Sequence, residues 1–231
     1  MYSIPFRSFC AIGDRFACKL REHGFSLPGF DHVYIILTPA LPSGDVELST
    51  LKLDARIRYV NVGLSPDEWE LLDDDGKHDH IVDLTFLALT AFAGDADALT
   101  RVTVDLKRYR SQLEVIAKTK ETAAYRVDVS FQIRPRQEQS IAFVSYFDKR
   151  TGQNGRITLT QLHSADDVYP LCGSIIVRDN TITIKPRSSS RAAIITKKYN
   201  PPLSVPMDTV LHNESAESQP TVKACDPSFV G

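Results

Sequence analysis

The spacing of apolar positions changes along the chain, and with it the predicted elements. Asp31 to Thr38 is a short β-branched and aromatic run closed by Pro39 and the Pro42-Ser-Gly44 turn signal, so it predicts a buried strand. From Thr50 to Val62 the pattern alternates. Leu51, Leu53, Ala55, Ile57 and Tyr59 share one face and Lys52, Asp54, Arg56 and Arg58 the other, which predicts a half-buried strand. Ser65-Pro-Asp-Glu68 places a capping serine before a proline at the first helical position and an acid at the third, so a short helix should run through Trp69 and Leu72. Ile81 to Phe92 is apolar on nearly every side and predicts a helix against the core. Asp95 or Asp97 then caps a helix in which Leu99, Val102, Leu106 and Tyr109 recur at helical spacing. Its end is left open, because Leu113, Val115 and Ala117 also fit a strand.

The second half has period two. Tyr125, Val127, Val129, Phe131 and Ile133 alternate with Arg126, Asp128, Ser130, Gln132 and Arg134 before Pro135. Ile141 to Phe147 and Arg156 to Leu162 flank a loop, Asp148 to Gly155, whose Gly and Asn suit a hairpin. Ser164-Ala-Asp-Asp167 starts one helical turn, and Ile175 to Val177 and Thr181 to Ile184 are joined by a tight turn in which Asp179 and Asn180 take positive φ. Helices grouped before meandering strands predict an α+β fold, with an antiparallel sheet and a few helices packed on one face. Residues 1–202 are expected as a single α+β domain. From 203 to 231 large apolar residues become sparse, which predicts a flexible C-terminal arm.

Composition narrows the class. The chain has 231 residues, 42% hydrophobic and 24% charged, which excludes disordered, collagenous and membrane-spanning classes. Folding should bury roughly 70% of the surface of the unfolded chain. Arg7, Asp14 and Arg15 interrupt the apolar letters of the first twenty residues, so no secretory signal is expected and the protein is placed in the cytoplasm. Cys10, Cys18, Cys172 and Cys225 form no Cys-x-x-Cys pair and predict reduced, unreactive thiols. The net charge of −2 hides an asymmetry: residues 1–100 carry 8 Lys/Arg against 16 Asp/Glu, and residues 101–202 carry 18 against 9. Such an imbalance concerns partners and association rates.

Candidate chemistry is concentrated between Asp67 and Asp83, with eight acids, two histidines and a lysine. As a calcium loop it fails, since aligning Asp73 and Asp75 before Gly76 leaves Leu71 and Val82 at ligand positions. His78, His80 and Asp83 are suitable metal donors by type, but the histidines have strand spacing and the acid lies at a helix start, so no metal is expected. Acids beside an aromatic have the ingredients of a steered protein interface. The predicted contacts are Glu68, Trp69, Glu70, Asp73, Asp74 and Asp75. Cys10 and Cys18, with His23 and His32 downstream, lie in no nucleophile turn. Glu114 and Glu121 form an acid pair only if a cleft joins them. No catalytic residue and no cofactor is predicted. Arg126, Arg134, Arg136, Lys149, Arg150, Arg156 and Arg178, with Tyr146 and Phe147 for stacking, raise nucleic acid as an alternative partner, and a structural or assembly subunit, marked by a large homo-oligomer, is the other alternative. A pI near 6.3, and Phe131 and Phe143 at core-facing positions, argue against it. Arg187, Ser188 and Arg191 are the local anion-binding candidate.

The acidic, Trp-bearing helix start, the Tyr125–Ile133 strand, and Thr183-Ile-Lys-Pro-Arg-Ser-Ser-Ser-Arg-Ala192 ahead of Lys198-Tyr-Asn-Pro-Pro202 resemble the immunity proteins that bacteria encode beside polymorphic toxins. That resemblance implies a small cytoplasmic, non-enzymatic protein that binds and blocks a cognate toxin domain. Against a nuclease toxin, whose cleft must be cationic to hold phosphate, the Asp67–Asp83 region would be the plug.

Overall fold

A computed structural model describes residues 6–27, 29–51, 53–92, 96–135 and 138–212. Among the described residues, seven helices and ten strands make an α+β fold with three sheets rather than one. Helix α1 (Phe6–Glu22) leads into β1 (His32–Thr38), and β1 pairs in parallel with β3 (Ile57–Gly63). The short β2 (Val46–Leu48) lies antiparallel on the other side of β3. Helices α2 (Pro66–Glu70), α3 (Asp74–Thr90) and α4 (Ala96–Tyr109) follow. Four strands form the largest sheet in antiparallel order: β4 (Glu114–Glu121), β5 (Tyr125–Gln132), β6 (Ser140–Asp148) and β7 (Asn154–Leu162). After α5 (Val168–Leu171), β8 (Ser174–Arg178) and β9 (Thr181–Lys185) form a hairpin; α6 (Ser190–Thr196), β10 (Leu203–Pro206) and α7 (Met207–Leu211) complete the described chain.

Two hydrophobic cores meet at α1. Ala11 belongs to one core with Val127, Val129 and Phe131 of β5 and Ile182 and Ile184 of β9, which joins the four-stranded sheet to the β8–β9–β10 sheet. Ile12, Phe16 and Leu20 join Val60 and Val62 of β3, Leu84 and Ala88 of α3, and Leu99, Val102 and Leu106 of α4. Polar atoms of α1 complete the junction. Arg15, 2% exposed, donates from Nε to the Ile133 carbonyl (2.7 Å), and burial lowers its pKa to about 10, so the guanidinium stays charged. Lys19 donates to the Glu114 carbonyl (3.1 Å), and Glu22 accepts from the Ile116 amide (2.9 Å). The edge of β4 is thereby occupied by side chains of a helix.

Several expectations change. The alternation from Thr50 is not strand until Ile57: the Asp54 carboxylate accepts from the Arg56 amide (2.8 Å) and turns the chain, leaving Leu51 and Leu53 exposed. Lys52 lies outside the described residues. Helix α3 starts at Asp74 rather than Ile81, with the Asp73 carboxylate accepting from the Gly76 amide (2.7 Å), so His78 and His80 are helical. Asp95 lies outside the described residues. The start of the expected C-terminal arm is packed: β10 pairs with β9, and Val210 of α7 is fully buried where Gly155 admits its backbone. Residues 213–231 lie outside the described residues.

Candidate functional site

Six exposed acids, Asp67, Glu68, Glu70, Asp73, Asp74 and Asp75, surround a corner between two short-range caps. Ser65 accepts from the Glu68 amide (3.3 Å) and fixes the start of α2, and Asp73 fixes the start of α3 two residues after Leu71. Trp69 is turned inward, 5% exposed, with its ring edge-on to Phe9 (5.3 Å) and Lys77 Nζ 5.5 Å from its centroid. It is therefore the wedge that holds the corner on the core, not a surface anchor. Asp73 is engaged as a cap, and Asp75 is ion-paired with Arg110 of the 3-10 turn after α4. Asp67, Glu68, Glu70 and Asp74 face water.

The apolar residue that the corner presents is Leu71, 88% exposed and the most exposed large apolar side chain among the described residues. Residue-type reasoning favoured tryptophan and passed over it. The available signal was geometric: if Trp69 and Leu72 face the core from one helical turn, Leu71 between them faces out. A rigid corner with an isolated leucine ringed by carboxylates can bury one apolar knob while attracting a cationic surface.

His78 and His80 do not converge with Asp83. The Asp83 carboxylate is taken by Lys107 of α4 (2.6 Å), and His78 Nδ1 lies 3.0 Å from the neighbouring Asp79 carboxylate. The Nε2 atoms of both histidines are buried without a hydrogen-bond partner, and no metal-holding cluster forms among the described residues. Glu114 and Glu121 stand at opposite ends of β4, the first paired with Arg156 and the second with Lys149 (2.6 Å). Cys18 lines a cleft of about 240 Å³ with Asp14, Arg21, Asp166 and Tyr169. Burial raises the Cys18 thiol pKa despite the Tyr169 contact at 3.6 Å, so the thiol is protonated and a poor nucleophile. Burial and the nearby Asp166 raise the Asp14 carboxyl.

Of the basic residues that raised nucleic acid as a partner, six are ion-paired to acids of the same half. Arg126 is bound to Asp128 (2.7 Å), Arg134 to Glu138 (3.6 Å), Lys149 to Glu121, Arg150 to Asp148 (3.3 Å), Arg156 to Glu114 and Arg178 to Asp179 (3.1 Å). Arg136 lies outside the described residues. The aromatic assignments also change. Tyr146 lies opposite Val127 in the core, stacked on Tyr125, whereas Phe143 lies opposite Ser130 on the polar face, beneath the Arg156 guanidinium at 3.7 Å. Phe147 is exposed. Polar residues of β5 are consequently covered: Ser130 donates to Glu114 (2.7 Å) and Thr119 donates to Asp128 (2.5 Å). Arg187, Ser188 and Arg191 all face solvent, while the Arg187 amide donates to the Pro170 carbonyl (2.8 Å) and Ser189, not Ser188, caps α6.

No family model, curated protein or solved structure matches the chain. No helix among the described residues is long and apolar enough to cross a membrane.

Proposed function

We propose that this chain is a non-enzymatic protein-binding module, an immunity-type inhibitor that occupies the cationic cleft of a cognate toxin domain through the α2–α3 corner. The observation that carries the reading is Leu71 standing in water on a doubly capped corner, with Glu68, Glu70 and Asp74 exposed around it. The carboxylates supply long-range attraction and a fast encounter, and the leucine supplies the apolar contact that slows dissociation. The internal pairing of six arginine and lysine side chains in the second half favours this reading over a nucleic-acid partner, since phosphates would have to displace carboxylates already in place.

The test is capture of the untagged protein from its own host through a small epitope, followed by association kinetics with the stoichiometric partner across a salt series. Wild type should associate more slowly as salt rises, and Leu71→Ala should raise the dissociation rate. Replacing Glu68, Glu70 and Asp74 with their amides should lower the association rate and flatten the salt dependence. Recovery of nucleic acid in place of a protein, or kinetics untouched by both variants, overturns the proposal.

A further inference from the structure

The sheet edges of this protein are protected unequally. The β4 edge is bonded by Lys19 and Glu22, and β7 is packed against α7 at Gly155. Strand β2 has three residues, the four-residue β10 ends in Pro206, and the five-residue β8 at the other edge of that sheet ends in the exposed Arg178. Strand β1 has seven residues, His-Val-Tyr-Ile-Ile-Leu-Thr, stands at the edge of its sheet, and contains no proline, lysine or acid to discourage pairing. Its hydrogen bonds identify which peptide groups are free. The His32 amide donates to Arg56 (3.1 Å), and the Thr38 carbonyl accepts from Leu64 (3.0 Å), so even-numbered residues bond toward β3. The N–H and C=O groups of Val33, Ile35 and Leu37 therefore point away from the sheet, and among the described residues they have no backbone partner.

We infer that β1 pairs with β1 of a second copy of this chain, antiparallel and centred on Ile35. That register sets Ile35 opposite its own equivalent and Val33 opposite Leu37, so every outward N–H and C=O of these three residues is bonded. It also sets Tyr34 opposite Ile36 in the closely spaced, non-hydrogen-bonded pairs, where aromatic and β-branched side chains meet. Both are open to water in the single chain, at 53% and 44% exposure, and Tyr34 is already stacked on Tyr59 (5.4 Å), which extends the apolar surface. His32 meets Thr38 at the ends, and no like charges face each other. Sliding one strand by one residue would oppose bonded peptide groups to free ones, and sliding it by two would leave Val33 or Leu37 without a partner inside β1, so the centre on Ile35 is the register that bonds all three free residues. The result is one continuous sheet with both β1 strands at its middle. The α2–α3 corner is not part of this contact, and the inference stands independently of the proposed inhibitor role.

Sedimentation equilibrium of the full chain tests it. The expected mass is twice 25.8 kDa. Tyr34→Lys with Ile36→Lys places lysine opposite lysine across the pair and should weaken dimerisation at least about tenfold, with circular dichroism unchanged because both positions are exposed. Tyr34→Lys with Ile36→Glu places opposite charges face to face in the same register and should recover most of that loss at low salt. A wild-type chain of single mass at every attainable concentration overturns the inference without reference to any variant. A double-lysine protein that dimerises as tightly as wild type, or a lysine–glutamate protein no tighter than the double-lysine one, overturns the surface or the register.

Discussion

Two adjacent aspartates, alike in charge and exposure, are expected to behave differently when replaced. Asp73 Oδ1 accepts the Gly76 amide at 2.7 Å and so satisfies one of the orphan donors at the start of α3, whereas Asp74 is the first helical residue and faces water. Asp73→Ala removes the cap, worth about 1 kcal/mol, and the favourable charge at the helix N-terminus, worth about 0.5 kcal/mol. Asp74→Ala removes only the second contribution. Urea denaturation at neutral pH should therefore show a loss of about 1.5 kcal/mol for Asp73→Ala against about 0.5 kcal/mol for Asp74→Ala, with the same m value. In a chain of this size the difference corresponds to roughly 2–4 °C in Tm. Asp73→Asn keeps an acceptor oxygen and should recover most of the larger loss. In partner binding the order reverses: the amide variant of Asp74 should slow association while costing no more than about 0.5 kcal/mol, the contribution of its helix-terminal charge. Equal losses for the two alanine variants would refute the assignment of Asp73 as the cap.

Three further outcomes follow from the contacts. Tyr199 donates to Asp167 (2.5 Å) and accepts the His163 amide (2.9 Å), so Tyr199→Phe should cost about 2 kcal/mol in urea. Burial raises the Asp167 carboxyl, but the bonds from Lys198 and Tyr199 outweigh it and leave the pKa lowered; its contribution is present above about pH 4 and is lost as pH falls through the folded value, a loss that Tyr199→Phe should diminish. Asp14 has the opposite sign. Its folded pKa is raised, chiefly by burial and then by Asp166, so Asp14→Asn should stabilise at pH 7, with the gain vanishing below about pH 4, as pH titration of the unfolding free energy will show. Gly155→Ala would drive a methyl group into the Val210 carbonyl, costing about 1–3 kcal/mol and speeding limited proteolysis between 203 and 212.

Local signals in the chain were read reliably where one side chain determines the backbone. Ser65 with Pro66 starts α2, Ser164 with Asp167 makes a capping box, and Asp179 and Asn180 have φ of 49° and 56° in the β8–β9 turn. The apolar spacing of Leu99, Val102 and Leu106 likewise marked the buried face of α4. What escaped depends on distant partners. The polar first turns of α3 carry no apolar period, so its start at Asp74 was visible only as a cap, and Asp73 resembled any solvated acid. Alternation in β5 indicated one polar face, but Asp128 and Ser130 are buried because Thr119, Glu114 and Arg156 cover them from neighbouring strands. The same register buries Phe143, at 7% exposure, on that face opposite Ser130 and beneath Arg156 rather than beside Phe131. Val210 is buried only because Gly155, more than fifty positions earlier, lacks a side chain. At the candidate site the acidic segment was legible, yet the division of labour within it was not: Trp69 serves the core, Asp73 and Asp75 serve the scaffold, and Leu71 is left in water.

The most direct test of the inhibitor role is growth rescue. The protein encoded beside this chain's gene is expressed alone, with the wild-type chain, and with a variant carrying Leu71→Ala together with amide replacements at Glu68, Glu70 and Asp74. The account predicts arrested growth with the neighbour alone, restoration by wild type, and failure of the variant to restore it even where circular dichroism and urea denaturation show it folded. Continued arrest in the presence of wild type, no arrest by the neighbour, or full rescue by the variant would contradict it.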